Sequence, residues 1–192
     1  MRSIRDIRIV FLHVSLLIGM MTVFSMHPLT AFEKNQPPNV TLKIENWQDV
    51  QKRIATHKGK VVVVDIWTTT CLTCVEEFPK FAALQKKYGK DKVICISLNC
   101  DYDGIESKPP KYYREKVLKF LRKQNASFEN VMLNVPFLAF LDNIKLESTP
   151  AILVFGPSTK LAKRFDNDDA KSEKDDYLME DVEALIERLL KK

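Results

Sequence analysis

Cys71 and Cys74 stand with two residues between them in the stretch VVVVDIWTTTCLTCVEEF, residues 61–78. Two thiols at that spacing support three kinds of chemistry. They can cycle between dithiol and disulfide by exchange, supply half of a four-sulfur zinc site, or form a static staple. The neighbouring residues discriminate among these. Residues 61–67 are an almost unbroken apolar run, the pattern of a strand covered on both faces, and a helical pattern begins near Cys71. A cysteine where a strand hands over to a helix meets unpaired amide groups and the positive end of the helix dipole, which favour its thiolate. Cys71 is then the exposed nucleophile. Cys74, one turn further on, is placed to attack the mixed disulfide that Cys71 forms with a substrate.

The full cysteine pattern is C-x2-C-x20-C-x4-C, through Cys95 and Cys100. A zinc module needs all four sulfurs about 2.3 Å from one centre. Cys95 lies in the middle of a strand expected over residues 92–99. Cys100 has the opposite parity, so the two face opposite sides of the sheet. No metal is therefore expected, and zinc stands only as the competing reading. Copper delivery is also disfavoured, because the cysteine spacing is wrong for it and His57 alone lies nearby. Cys95 reads as a small buried apolar residue. Cys100 falls at the carboxyl end of its strand, the edge where open α/β sheets place their sites, and is a candidate accessory thiol.

The elements that must position these groups alternate. Residues 41–44 form a short strand, and Asn46 caps a helix over residues 47–57, with Val50 and Ile54 on one face. Strand 61–67 follows, then a helix from Cys71 to Tyr88 that holds Pro79 inside it. Strand 92–99 leads into a loop over residues 100–110 and a helix over residues 111–124 with Tyr113, Val117 and Leu121 on one stripe. Residues 131–133 read as a short strand and residues 136–141 as an apolar connector. Residues 151–155 and 161–165 are the arms of a β-hairpin. The acidic segment 166–176 reads as a solvated loop. A closing helix over residues 178–190 turns Val182, Leu185 and Leu189 inward. This is an α/β architecture with a mixed sheet.

Asp65, Trp67, Cys71, Cys74 and Pro79 stand in the spacing D-x-W-x3-C-x2-C-x4-P, and Ser148, Thr149 and Pro150 precede the strand AILVF. Together these resemble the active-site region and the cis-proline segment of the thioredoxin superfamily. The resemblance implies a thioredoxin-like fold: a central mixed β-sheet flanked by helices, with an extra helix between the central βαβ part and the cis-proline hairpin. That extra helix and the export segment below resemble the TlpA/ResA-type thiol–disulfide oxidoreductases of bacterial envelopes. Carried over by this resemblance, Asp65 is a buried carboxylate that manages the proton of Cys74. Trp67 packs under the active-site turn, and Pro79 is a structural kink. Pro150 is cis and lays the backbone of Thr149 beside Cys71, where a substrate chain would pair. Thr70, Leu72 and Thr73 border the cysteines on the substrate side. They depart from the usual family residues, so the reducing strength does not carry over. A peroxiredoxin-like peroxidase is disfavoured, since Val64 stands where that family has proline.

Arg2, Arg5 and Arg8 precede a mostly apolar run over residues 9–26. Residues 1–31 accordingly read as a signal peptide or membrane anchor, residues 32–40 as a linker, and residues 41–192 as one domain. A formal charge of +5, part of it in that leader, comes without a basic stripe interleaved with aromatics, which excludes nucleic acid as a partner. The expectation is an exported thiol–disulfide oxidoreductase in the bacterial periplasm or on the outer face of the cytoplasmic membrane, touching membrane only through its N-terminal segment. By resemblance it needs no cofactor, reduces disulfides in envelope proteins such as apocytochrome c during cytochrome c maturation, and draws electrons from a membrane carrier. The alternative is a protein-binding module with a static disulfide.

Overall fold

The computed structural model describes residues 39–169 and 176–191. The leader and most of the linker lie outside the described residues, as do six residues of the acidic loop. No helix among the described residues is long and apolar enough to cross a membrane.

The element order is β1 (Lys43–Glu45), α1 (Trp47–Thr56), β2 (Val61–Trp67), α2 (Leu72–Tyr88), β3 (Val93–Asn99), α3 (Pro110–Lys123), β4 (Glu129–Leu133), α4 (Phe137–Ile144), β5 (Ala151–Phe155), β6 (Leu161–Phe165) and α5 (Met179–Leu190). The six strands form one sheet in the order β1-β4-β3-β2-β5-β6. The first four in that order run parallel, while β5 is antiparallel to β2, and β6 to β5. The fold is the α/β thioredoxin-like one that the resemblance implies, with a mixed sheet between two layers of helices.

The valine run makes β2 because β-branched side chains fit a pleated surface, and every residue of β2 is buried. Its alternate residues feed two separate cores. Val61, Val63 and Trp67 pack with residues of α2, α3 and α5, whereas Val62, Val64 and Ile66 pack with residues of α1 and α4. The amphipathic pattern of α1 starts where Asn46 accepts the Asp49 amide at 2.9 Å, as its capping role requires. Helix α2 closes at Gly89, whose φ of +76° favours a residue without a Cβ.

Two sequence expectations change. The segment between β3 and β5 holds the expected helix and the expected short strand, here α3 and β4, and a second helix besides. Residues expected as an apolar connector form α4, with Phe140 and Leu141 buried against the sheet. In α5 the fully buried positions are Val182 and Ile186, and Leu185 and Leu189 are only half-buried. Parts of the acidic loop also have a specific partner. Arg164 donates to the Asp166 and Asp168 carboxylates and to the carbonyls of Ile144 and Lys145, which pins the loop to the end of α4.

Below the cysteine helix the core is aromatic. Phe78, 1% exposed, lies edge-on to Trp67, Phe81 and Phe120, with ring centroids 5.0, 5.9 and 5.0 Å away. Phe78→Ala would leave a cavity among rings that cannot collapse together. We expect it to lower unfolding stability by about 3–5 kcal/mol, read as an earlier urea midpoint at unchanged slope. A loss under about 1 kcal/mol would mean that this cluster does not hold α2 to the sheet.

Candidate active site

The carboxyl end of β2 is followed by a tight turn, in which the Cys71 amide donates to the Thr68 carbonyl at 3.4 Å. Cys71 is the residue that caps α2, with extended backbone, and its Sγ accepts the Cys74 amide at 3.1 Å. The sulfur thus takes the place that a serine or aspartate oxygen usually holds at a helix start. An amide aimed at that sulfur, together with the helix dipole, stabilises negative charge on it once the thiol is free.

Cys71 and Cys74 are joined as a disulfide, with their Cα atoms 5.3 Å apart. The pair is asymmetric. Cys71 is half-buried, while Cys74 is 2% exposed and belongs to the aromatic core. The outer sulfur is the one a macromolecular disulfide can reach. Cys71 Sγ also lies 3.6 Å from the carbonyl oxygen of Thr149, and the Thr149–Pro150 peptide is cis. The half-buried backbone at Thr149 therefore runs beside the reactive sulfur. Leu72, 72% exposed, Thr70 and Thr73 are exposed around the pair. Pro79 lies inside α2, where it has no amide to donate to the preceding turn.

Trp67 is fully buried beneath the turn; its indole N–H donates to Ser97 Oγ at 2.8 Å and its ring packs on Phe78 and Phe120. Asp65 lies two residues before it on the same face of β2, between Ser97 of β3 and Ile152 of β5. Asp65 is 5% exposed and borders a cavity of about 170 Å³ shared with Thr73, Cys74, Glu77, Pro150 and Leu178. Burial pushes the Asp65 carboxyl up to about 8. A carboxyl group poised near neutrality on a cavity shared with Cys74 can take a proton from that thiol, directly or through water.

The other two cysteines do not join this site. Cys95 is buried in the core layer on the Cys74 side of the sheet, and Cys100 in the opposite layer. Burial raises both thiols well above the ordinary range. The accessory role expected of Cys100 is thus corrected: it is 1% exposed and faces away from Cys71. The four sulfurs are not brought together. Among the described residues no cluster of three or more metal-ligating side chains occurs. Sequence reading missed Asp101, whose carboxylate accepts the amide of Thr69 in the turn before Cys71. The available signal was its place just past β3, beside the end of β2. Tyr177 and Leu178, which wall the cavity, had no local signal.

Comparison with known proteins fits this geometry. Residues 33–182 match the Redoxin family. The chain belongs to that family. A curated relative is NHL repeat-containing protein 2 of Homo sapiens, 26% identical over 117 residues, which covers 58% of this chain and 15% of the human one. Another is the thioredoxin-like protein YneN of Bacillus subtilis, 33% identical over 67 residues, covering 35% of this chain and 38% of its own. This chain thus spans only a small part of the human relative and under half of the bacterial one. Among solved structures, a thiol-disulfide isomerase from Corynebacterium glutamicum superposes with a TM-score of 0.58 at 17% identity, over 82% of this chain and 98% of that one. That likeness is one of fold.

The raised Asp65 carboxyl has a consequence for stability. An unfolded aspartate titrates near roughly 3.9, so between about pH 4 and the folded value of about 8 the folded chain holds a proton that the unfolded chain has lost. Stability is therefore greatest below that window and declines as the pH rises through it, by up to roughly 1.4 kcal/mol per unit. Above the window it levels off. Asp65→Asn removes this titration, and we expect the oxidised variant to exceed the wild type in urea stability at about pH 8 and to lose that advantage near pH 5. A wild-type decline that survives the substitution would assign the slope to another group.

Proposed function

We propose that this redoxin-family chain is an exported thiol–disulfide oxidoreductase that reduces disulfides in proteins outside the cytoplasm. The observation that carries the reading is the asymmetric pair: half-buried Cys71 at the helix N-terminus, disulfide-bonded to buried Cys74 and 3.6 Å from the Thr149 carbonyl beside cis-Pro150. A substrate segment lying along Thr149 would bring its disulfide to Cys71 and to little else.

In the reducing direction, the Cys71 thiolate attacks one sulfur of the substrate disulfide. The first Cys71–substrate bond forms and the other substrate sulfur leaves as a thiolate, which takes a proton from solvent. Cys74 then gives its proton towards Asp65 and attacks Cys71 Sγ. This forms the Cys71–Cys74 disulfide and expels the second substrate thiolate. Two electrons have passed from the protein dithiol to the substrate, and the protein ends oxidised. Renewal needs a dithiol donor, which for an exported protein would be a membrane electron-carrier reductase. The arginines and apolar run ahead of residue 32 support export and placement in the periplasm or on the outer membrane face. Apocytochrome c and other disulfide-bearing envelope proteins are the substrates that fit such a location.

Direction and mechanism are tested together. In the full chain, Cys74→Ser should trap a mixed disulfide between Cys71 and its substrate, since the resolving thiol is gone. An equilibrium potential for the wild-type pair near about −250 mV fits a reductase, whereas one near about −120 mV would make the protein an oxidant and reverse the proposed flow. If Cys74→Ser captures no disulfide-linked partner and the wild-type pair stays oxidised in every thiol buffer, the disulfide is a staple and the proposal fails.

A further inference from the structure

We infer that Asp101 is a positioning residue for the Cys71 nucleophile, holding the turn before Cys71 to the end of β3. The inference deepens the thiol–disulfide reading above and rests on it. The Asp101 side chain is only 2% exposed. Its Oδ1 accepts the Thr69 amide at 2.6 Å and the Asn99 side-chain amide at 2.9 Å. Its Oδ2 accepts the Thr69 hydroxyl and lies 3.8 Å from Lys116 Nζ of α3. One carboxylate thus grips both the backbone and the side chain of a single residue, two positions before Cys71.

The grip is anchored at its other end. Asn99 is fully buried, and its side-chain oxygen accepts the Asp101 amide at 3.1 Å. The Cys100 amide donates to the Trp67 carbonyl at 2.9 Å, which carries the β2–β3 pairing one residue past the strands. Asp101 therefore has a fixed register against the root of the turn. A carboxylate is suited to this task because it only accepts, and it can take two donors from one residue while a third partner fixes it. Among the described residues, the hydrogen bonds of the Thr69 amide and hydroxyl go to Asp101 alone, while Cys71 bonds Thr68 and the Thr68 and Thr70 hydroxyls meet within the turn.

Two effects of Asp101 on Cys71 have opposite sign, and that makes the inference testable. Its negative charge alone disfavours a thiolate on Cys71, as do the Glu77 and Asp176 carboxylates on the cavity side. Asp65 keeps its proton up to about pH 8 and adds charge only above that, and Lys116 offsets Asp101. Its hydrogen bonds keep Cys71 Sγ over the α2 amides, which favours the thiolate. Asp101→Asn removes the charge but retains an oxygen for the Thr69 amide. Asp101→Ala removes both.

The experiment is the rate of Cys71 alkylation by iodoacetamide in the reduced full chain against pH, mapped by mass spectrometry. We expect Asp101→Ala to slow alkylation about tenfold near neutrality and to move its pH midpoint upward, with Asp101→Asn close to wild type or faster. If Asp101→Ala keeps a cooperative thermal transition yet alkylates at least as fast as wild type, the inference is overturned. It is equally overturned if Asp101→Asn is as slow as the alanine variant. Should Asp101→Ala not fold, Thr69→Val, which removes only the hydroxyl bond, must show a smaller slowing in the same direction, and an unchanged rate sinks the idea. Alkylation uses no disulfide substrate. A wild-type chain that reduces no disulfide would therefore overturn the proposed function alone, and Cys71 reactivity independent of Asp101 would overturn this inference alone.

Discussion

Strand β2 is hydrogen-bonded on both sides and buried on both faces, and the placement of every group at the site follows from that. Its parallel neighbour β3 ends at the same edge, where Trp67 pairs with Asn99. Its antiparallel neighbour β5 begins there, with Ala151 opposite Ile66. Three chain segments are thereby delivered to one place: the turn into Cys71 from β2, Asn99 to Asp101 from β3, and Thr149–Pro150 entering β5. Apart from Asn99, the last residue of β3, these segments lie outside regular structure. Each inherits its position from a strand that has no room to shift, because a one-residue slip would send every buried side chain to the wrong face. The convergence is a property of strand direction first and of side chains second.

Within that frame the two faces of the sheet divide their work. The face covered by α2, α3 and α5 carries Asp65 and Trp67, and a cavity is lined by both Asp65 and Cys74 of α2. The face covered by α1 and α4 carries aliphatic residues, Phe140 and the inert Cys100. Burying Asp65 in the first face opposes stability, since the charged form loses its hydration. The same burial lifts its proton affinity into the range where a carboxyl can exchange protons with a thiol at neutral pH. Stability and reactivity at this position have one physical cause and opposite signs.

Much of this could be seen in the sequence, and what could not was non-local. The valine run, the cysteines after it and the hairpin AILVF to LAKRF each carry their pattern within a few residues, and the strands appear where the pattern puts them. Residues 136–141 look like a connector in sequence because a short, nearly all-apolar segment has no polar face to display a helical period, and only packing against the sheet reveals α4. At the carboxyl edge of β3 the sequence offers a thiol, Cys100, as the conspicuous reactive group. Side chains alternate along a strand, so Cys100 turns into the α1–α4 core and the adjacent Asp101 is the residue that reaches the site. Likewise, the contact of Phe120 with Trp67 joins residues far apart in sequence and has no local trace.

Helix α3 illustrates how an added element can matter to a site it does not enter. Phe120 places its ring 4.8 Å from Trp67 and 5.0 Å from Phe78, under the turn that carries Cys71. One turn earlier, Lys116 lies beside the carboxylate that grips Thr69. A helix of 14 residues has many solvent-facing positions, yet these two side chains reach the turn from below and from the side. Apolar contact from Phe120 resists displacement of the tryptophan floor in any direction, because close-packed rings leave no void to move into. Lys116 acts differently: at 3.8 Å and more than half exposed it contributes little binding energy, but its positive charge partly offsets that of the carboxylate gripping the turn. The packing contact fixes the floor under the turn, and the ionic one steadies the carboxylate that grips it.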